Sequence, residues 1–173
     1  MRSLIPALAL AAFVAAPAYA QDKMSNDDQA AMKQLASANL AEIQSGKMAA
    51  SKAQNPEVKS FAQKMVDDHS KMLEELKSLA KTKGVALPQD AAVKDMAQMK
   101  LMERKSGADF DREYVEHMVK DHEKDLKDVQ DIAAKAKDPQ FKSAVQQANA
   151  KIKEHLQLAQ RVAQSAGAGS TSK

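Results

Sequence analysis

The sequence predicts an all-α protein: a four-helix bundle of ferritin-like connectivity with a short extra helix in the crossover. Three observations predict it. Apolar residues recur at three- and four-residue steps along four long stretches, the period of helices with one buried stripe. Two of those stretches open with Asn55-Pro56 and Asp138-Pro139, each a capping side chain followed by a proline suited to the first helical position. No stretch alternates apolar and polar residues as a strand would.

Residues 1–20 stand apart from the fold. Arg2 supplies a basic start, Leu4 to Ala16 an apolar run, and Ala18-Tyr19-Ala20 a small-x-small cleavage site. That is the pattern of a secretory signal peptide, with an apolar run too short to span a bilayer of ~30 Å. The expected mature chain starts at Gln21, folds over residues 21–166 and ends in a Gly/Ser/Lys tail, 167–173, without means to fold. No cysteine is present, so neither a lipid anchor on the apolar run nor a disulfide is available, and stability must come from packing. About 150 residues suffice for one domain with a real core.

The 26 basic and 23 acidic side chains are interleaved along the whole length. A pI near 9.0 therefore argues little for nucleic acid, and export argues against it. The expected product is soluble and exported, periplasmic in a Gram-negative source, with no membrane contact after signal cleavage. The sequence names no protein partner and leaves a homo-oligomer open.

Ser25-Asn26-Asp27-Asp28 offers caps and first-turn acids for the first helix. Its stripe runs Ala31, Leu35, Ala38, Glu42, Gly46, Ala49, Ala53, and Gln54-Asn55-Pro56 ends it. The second helix carries the most regular seam: Val58, Ala62, Met65, His69, Met72, Leu76, Leu79. Gly84 and Pro88 break it, after basic residues that favour a helix C-terminus.

Residues 90–105 read as a shorter helix bearing Met96, Met99 and Met102, interrupted at Ser106-Gly107. The methionines offer two readings, thioethers for copper(I) or gap-filling core, and packing is preferred. The next helix, from about Asp109 to Lys137, places Val115, Met118, His122, Val129, Ala133 and Ala136 on one face, flanked by Phe110 and Tyr114. The last presents Phe141, Ala144, Ala148, Ile152, His155, Ala159, Val162 and Ala166.

One phrase occurs twice: Met65-Val66-Asp67-Asp68-His69 and Met118-Val119-Lys120-Asp121-His122 agree at four of five positions. Glu42 and His69 lie near 20 Å from the first hairpin turn, and His122 and His155 near 25 Å from the second, at ~1.5 Å per residue. Antiparallel hairpins keep such pairs level, so one polar group from each long helix is expected inside the bundle at mid-height. A buried layer of one carboxylate and three imidazoles must satisfy itself or hold something. The chemistry suits a divalent transition metal (zinc, copper, nickel or iron) ligated by Glu42, His69, His122 and His155. Asp125, one turn after His122, is an accessory ligand or a partner of one. Asp68 and Asp121 are expected to point about 100° off the seam, toward neighbouring helices or solvent. His117 is expected outside it.

The alternative is a non-metal structural or interaction module whose core histidines bond one another. The Glu-x-x-His pairs of di-iron bundles are absent: Tyr114 and Val119 precede His117 and His122, and Val66 and Ile152 precede His69 and His155. An enzyme ranks last, because no nucleophile–base pair, phosphate loop or dinucleotide signature appears.

Phe61-Ala62-x-x-Met65-Val66-x-Asp68-His69, Phe110-Asp111-x-x-Tyr114, Met118-Val119-x-Asp121-His122, His155-Leu156 and Asn39-x-x-Glu42-x-x-x-Gly46 together carry a resemblance. The chain resembles the secreted bacterial proteins grouped as domain of unknown function 4142, from Asp27 to about Ala166. The resemblance implies a ferritin-like fold and an exported location, and it implies no activity. His117 is an addition to that pattern.

Overall fold

The computed structural model describes residues 23–168, and within them the chain forms five helices and no strand. They are α1 (Asn26–Lys52), α2 (Pro56–Lys83), α3 (Val93–Glu103), α4 (Gly107–Lys135) and α5 (Pro139–Ala168). The expected signal peptide and residues 169–173 lie outside the described residues. α5 itself runs two residues past the expected end of the domain.

The helix boundaries follow from local chemistry. Ser25 caps α1 by accepting from the Asp28 amide at 3.1 Å. Asn55 caps α2 through the amides of Glu57 and Val58, ahead of Pro56. Asp138 does the same for α5 through Gln140 and Phe141, at 3.0 and 2.9 Å. α2 ends on Gly84 in the left-handed conformation, φ 67°. Gly107, φ 59°, lets the chain break between α3 and α4.

α1 packs most extensively on α2 and α4 on α5, as two antiparallel hairpins. α2 also packs on α5, α1 meets α4 over only a short stretch, and α3 touches both α1 and α4. The hairpin turns are held by the opposite hairpin. Asp111 of α4 accepts from the backbone amides of Gln54 and Asn55, at 3.1 and 2.7 Å. Asp28 of α1 accepts from Lys137 and Asp138, at 3.1 and 2.8 Å. Lys83 adds a nearly buried ion pair with Asp138 at 2.7 Å. Both aspartates are buried, so each supplies acceptors to turn amides that would otherwise lack them.

The buried stripes differ in detail from the expected seams. In α2 the lower seam passes through Leu73 and Ala80, while Met72 and Leu79 are half-buried. In the first half of α1, Met32 and Ala36 are buried rather than Ala31, Leu35 and Ala38. An α-helix advances 3.6 residues per turn, so a stripe drawn at strict alternating steps drifts around a long helix. Phe110 and Tyr114 are fully buried rather than flanking. Of the α3 methionines, Met102 is core, and Met96 and Met99 are half-buried.

Two apolar clusters result. One gathers Phe61, Met65, Phe110, Tyr114 and Met118 with Ala159 and Val162. The other gathers Met32, Leu73, Leu76, Val129, Phe141 and Ile152. His69, His122 and His155 each fall between a residue of one cluster and a residue of the other: Met65 and Leu73, Met118 and Val129, Ala159 and Ile152. The histidines therefore form the polar layer at the junction.

Candidate metal centre

Each histidine reaches this layer from a different helix: His69 from α2, His122 from α4 and His155 from α5. The apolar residues on either side bury each helix face and carry the imidazole in with it. His122 and His155 are fully buried and His69 is 3 % exposed. Their ring centroids are 5.1 to 5.7 Å apart. One ring nitrogen from each lies within 4.8 Å of the other two.

Every ring has one nitrogen engaged and one without a partner. His122 donates from Nδ1 to the Met118 carbonyl at 2.9 Å, which leaves Nε2 unpartnered. His69 Nδ1 meets the Asn39 Oδ1 acceptor at 3.0 Å, again leaving Nε2. His155 donates from Nε2 to Asp68 Oδ2 at 2.8 Å, leaving Nδ1. Carbonyl, amide oxygen and carboxylate are acceptors, so each fixes the proton on the engaged nitrogen. Three lone pairs remain in the buried layer, and no hydrogen bond joins one ring to another.

Electrostatics keep the rings neutral. Burial, reinforced by His122 and His155, holds His69 well below the usual imidazole range. Burial followed by His155 lowers His122 to about 4. Burial lowers His155 as well, against the opposing pull of Asp68. For Asp68, burial pushes the carboxyl up, but hydrogen bonds from His155 and Lys64 outweigh it and hold the group at about 2. The arrangement is an ionised carboxylate orienting a neutral imidazole, as metal-ligating histidines commonly require.

Glu42 and Asp125 lie outside the three-imidazole group. Glu42 is buried, and its Oε2 has no partner. Burial raises its carboxyl well above the usual range, helped by Asp125, Asp121 and Asp95. Burial likewise raises Asp125, to about 6. The height expected for Glu42 suits the layer, but the acids surrounding it belong to α3 and α4; on α1 it is Asn39, one turn earlier, that reaches His69. Asp68 points off the α2 seam and bonds a neighbouring helix, as expected. His117 pairs with Asp121 at 3.1 Å and stays outside the layer.

Two residues that orient the layer were not assigned that role from the sequence. Asn39 stands in the first-helix pattern quoted above, next to the more conspicuous Glu42. Asp68 stands in the repeated phrase beside His69, but only the packing of α5 against α2 reveals that its partner is His155.

The family model for the domain of unknown function DUF4142 matches residues 14–162. The chain belongs to this DUF4142 family. No curated protein matches it. Among solved structures, this DUF4142 chain is similar to CopM in its Cu(II)-bound form, with a TM-score of 0.65 at 17 % identity, covering 80 % of this chain and 96 % of CopM. At that identity the likeness is one of fold.

The donor set fits a borderline transition ion. Neutral imidazole nitrogens suit Zn(II), Cu(II), Ni(II) and Fe(II), and three of them leave a further coordination position for water or another donor. Among the described residues, no helix is long and apolar enough to cross a membrane.

Proposed function

We propose that this is an exported, ferritin-like four-helix-bundle protein that binds one transition-metal ion through His69, His122 and His155. The carrying observation is that three buried rings, each anchored through one nitrogen, keep the other without a partner, and that the rings bring one nitrogen each to within 4.8 Å of the others. Leaving three such acceptors unpaired costs on the order of 1–3 kcal/mol each, and one ion relieves all three. Reciprocal bonding among the histidines is the weaker reading, because each ring already spends its proton elsewhere.

Copper is favoured among the candidate metals. Cu(II) stands high in the affinity order for nitrogen donors, and the fold is shared with a protein solved in a Cu(II)-bound form. The residues' task is binding and orientation: Asp68, Asn39 and the Met118 carbonyl hold the rings, and the two apolar clusters flank them. A bound ion would supply a Lewis-acidic centre with an open position. The role proposed is that of a metal buffer or sensor. The signal-peptide pattern of residues 1–20 supports a periplasmic site of action in a Gram-negative source.

Protein prepared without a histidine tag, loaded with Cu(II), Zn(II) or Ni(II) and desalted, tests this reading. One equivalent of metal per chain and nitrogen superhyperfine structure in the Cu(II) electron paramagnetic resonance spectrum are expected. No retained metal, or a spectrum of oxygen ligands alone, would overturn it.

A further inference from the structure

Beside the triad lies a cavity of ≈ 470 Å³, partly open to solvent, with His69 on its wall. Glu42 lines it from α1, Asp95 from α3, and Asp121 and Asp125 from α4. Leaving aside Glu42, whose carboxyl burial raises, six carboxylates and four lysines line the cavity, still an acidic balance. Of the lysines, Lys124 is engaged by Asp128 at 2.6 Å and lies 3.8 Å from Asp125, and Lys151 is engaged by Glu154 at 2.9 Å. Lys71 and Lys94 line it as well.

Glu42 is the independent sign of a ligand here. The residue is only 5 % exposed, lines the cavity, and keeps Oε2 without a partner. Natural interiors satisfy such atoms with protein, water or an ion. Among the described residues, no three of these carboxylates bring oxygens within 4.8 Å of one another. That spacing is too wide for three of them to ligate a bare ion directly. It suits an ion that keeps its water shell, with the carboxylates accepting from the bound waters.

We propose that this cavity is the loading vestibule of the imidazole site. It takes up a hydrated divalent transition cation, concentrates it between Glu42 and the α3 and α4 carboxylates, and delivers it to the triad from the His69 side. The proposal rests on the metal-binding reading above. Acidic clefts with low-dielectric walls raise cation on-rates by roughly 10- to 1,000-fold, so the vestibule governs the rate of loading more than the final affinity.

Stopped-flow uptake of Zn(II) and Cu(II) by the full chain, followed by release to a chelator, tests it. Asp125→Asn and Glu42→Gln are compared with Asp131→Asn, which removes an exposed charge of α4 that does not line the cavity. Circular dichroism verifies that each variant is folded. Both vestibule variants should load about tenfold more slowly, and Asp125→Asn, which removes a charge, should also show weaker salt dependence. Release should slow in step, so the equilibrium constant stays within about threefold, and Asp131→Asn should load like wild type. Wild-type loading rates in the two variants, or an equal loss in Asp131→Asn, would overturn the vestibule while leaving the triad standing. Loss of equilibrium binding in Glu42→Gln would overturn it in favour of direct ligation by Glu42. A wild type that binds no metal would remove the triad reading and the vestibule together.

Discussion

His155 of α5 donates from Nε2 to Asp68 Oδ2 of α2 at 2.8 Å, and this bond decides which nitrogen of the ring is free. Asp68 is also held by Lys64 at 2.9 Å. Its partners thus pin the carboxylate, and the carboxylate pins the ring. Asp68→Ala should weaken metal binding about 10- to 100-fold, the usual effect of removing a group that orients a ligating histidine. Asp68→Asn keeps an oxygen acceptor and should lose less. Competition titration against a chromophoric chelator measures both; equal affinities in wild type and Asp68→Ala would contradict the orienting role.

Asp125 sets a pH dependence of the metal-free protein. Its folded value of about 6 lies above the ordinary aspartate value, so the folded state holds the proton more tightly than the unfolded state. The stabilisation from this neutral form is fully present below about pH 4 and is lost as pH rises through about 6. Asp125→Asn should therefore stabilise the metal-free protein at pH 7.5 by about 1–3 kcal/mol, and the gain should vanish near pH 4. His122 gives the opposite slope. Its folded value of about 4 lies below the unfolded value near 6.5, so its contribution is complete above pH ~6.5 and is lost as pH falls toward 4. Denaturant melts of wild type and Asp125→Asn at several pH values separate the two, since the difference between them isolates Asp125.

At Gly46, α1 and α2 approach closely. A β-carbon there would lie 2.9 Å from Val66 Cγ2 and 3.0 Å from the Ala62 carbonyl oxygen. The second contact is backbone and cannot swing away. Gly46→Ala gains roughly 0.5–1 kcal/mol of helix preference but forces an overpacked contact that typically costs about 1–3 kcal/mol. The clash is expected to win, giving a net loss of stability in urea unfolding. A more stable variant would mean that α2 yields more easily than the geometry implies.

The all-α class, both proline-started returns and the three histidines of the expected four-residue layer were legible because they depend on local capping and helical period. The repeated phrase at His69 and His122 contains two of the ligand candidates, yet it relates α2 to α4, which are not hairpin partners. The informative echo is the one that pairs Asn55-Pro56 with Asp138-Pro139. The same separation pairs Asp28 with Asp111, the two aspartates that hold the opposite turns, and Glu42 with Asp125. Distance from a turn gives height along a helix but not distance to a neighbouring side chain, and Glu42 is buried outside the three-imidazole group. Asn39 and Asp68 illustrate a second gap, since their role exists only across helix pairs. The α3 methionines were legible as packing at Met102 alone, because the face of a covering helix depends on what it covers.

The most direct test of the triad is the metal-dependent shift in melting temperature, measured for wild type, His69→Ala, His122→Ala, His155→Ala and His117→Ala. Binding to the folded state alone stabilises by about 2.7 kcal/mol when free metal is a hundred times its dissociation constant. Wild type and His117→Ala should show that increment with Cu(II) or Zn(II), and each of the three layer variants should lose it. Basal stability falls in the layer variants under either reading, so the increment alone decides. No shift in wild type with any metal, or an increment that survives in all three layer variants, would contradict a metal site at His69, His122 and His155.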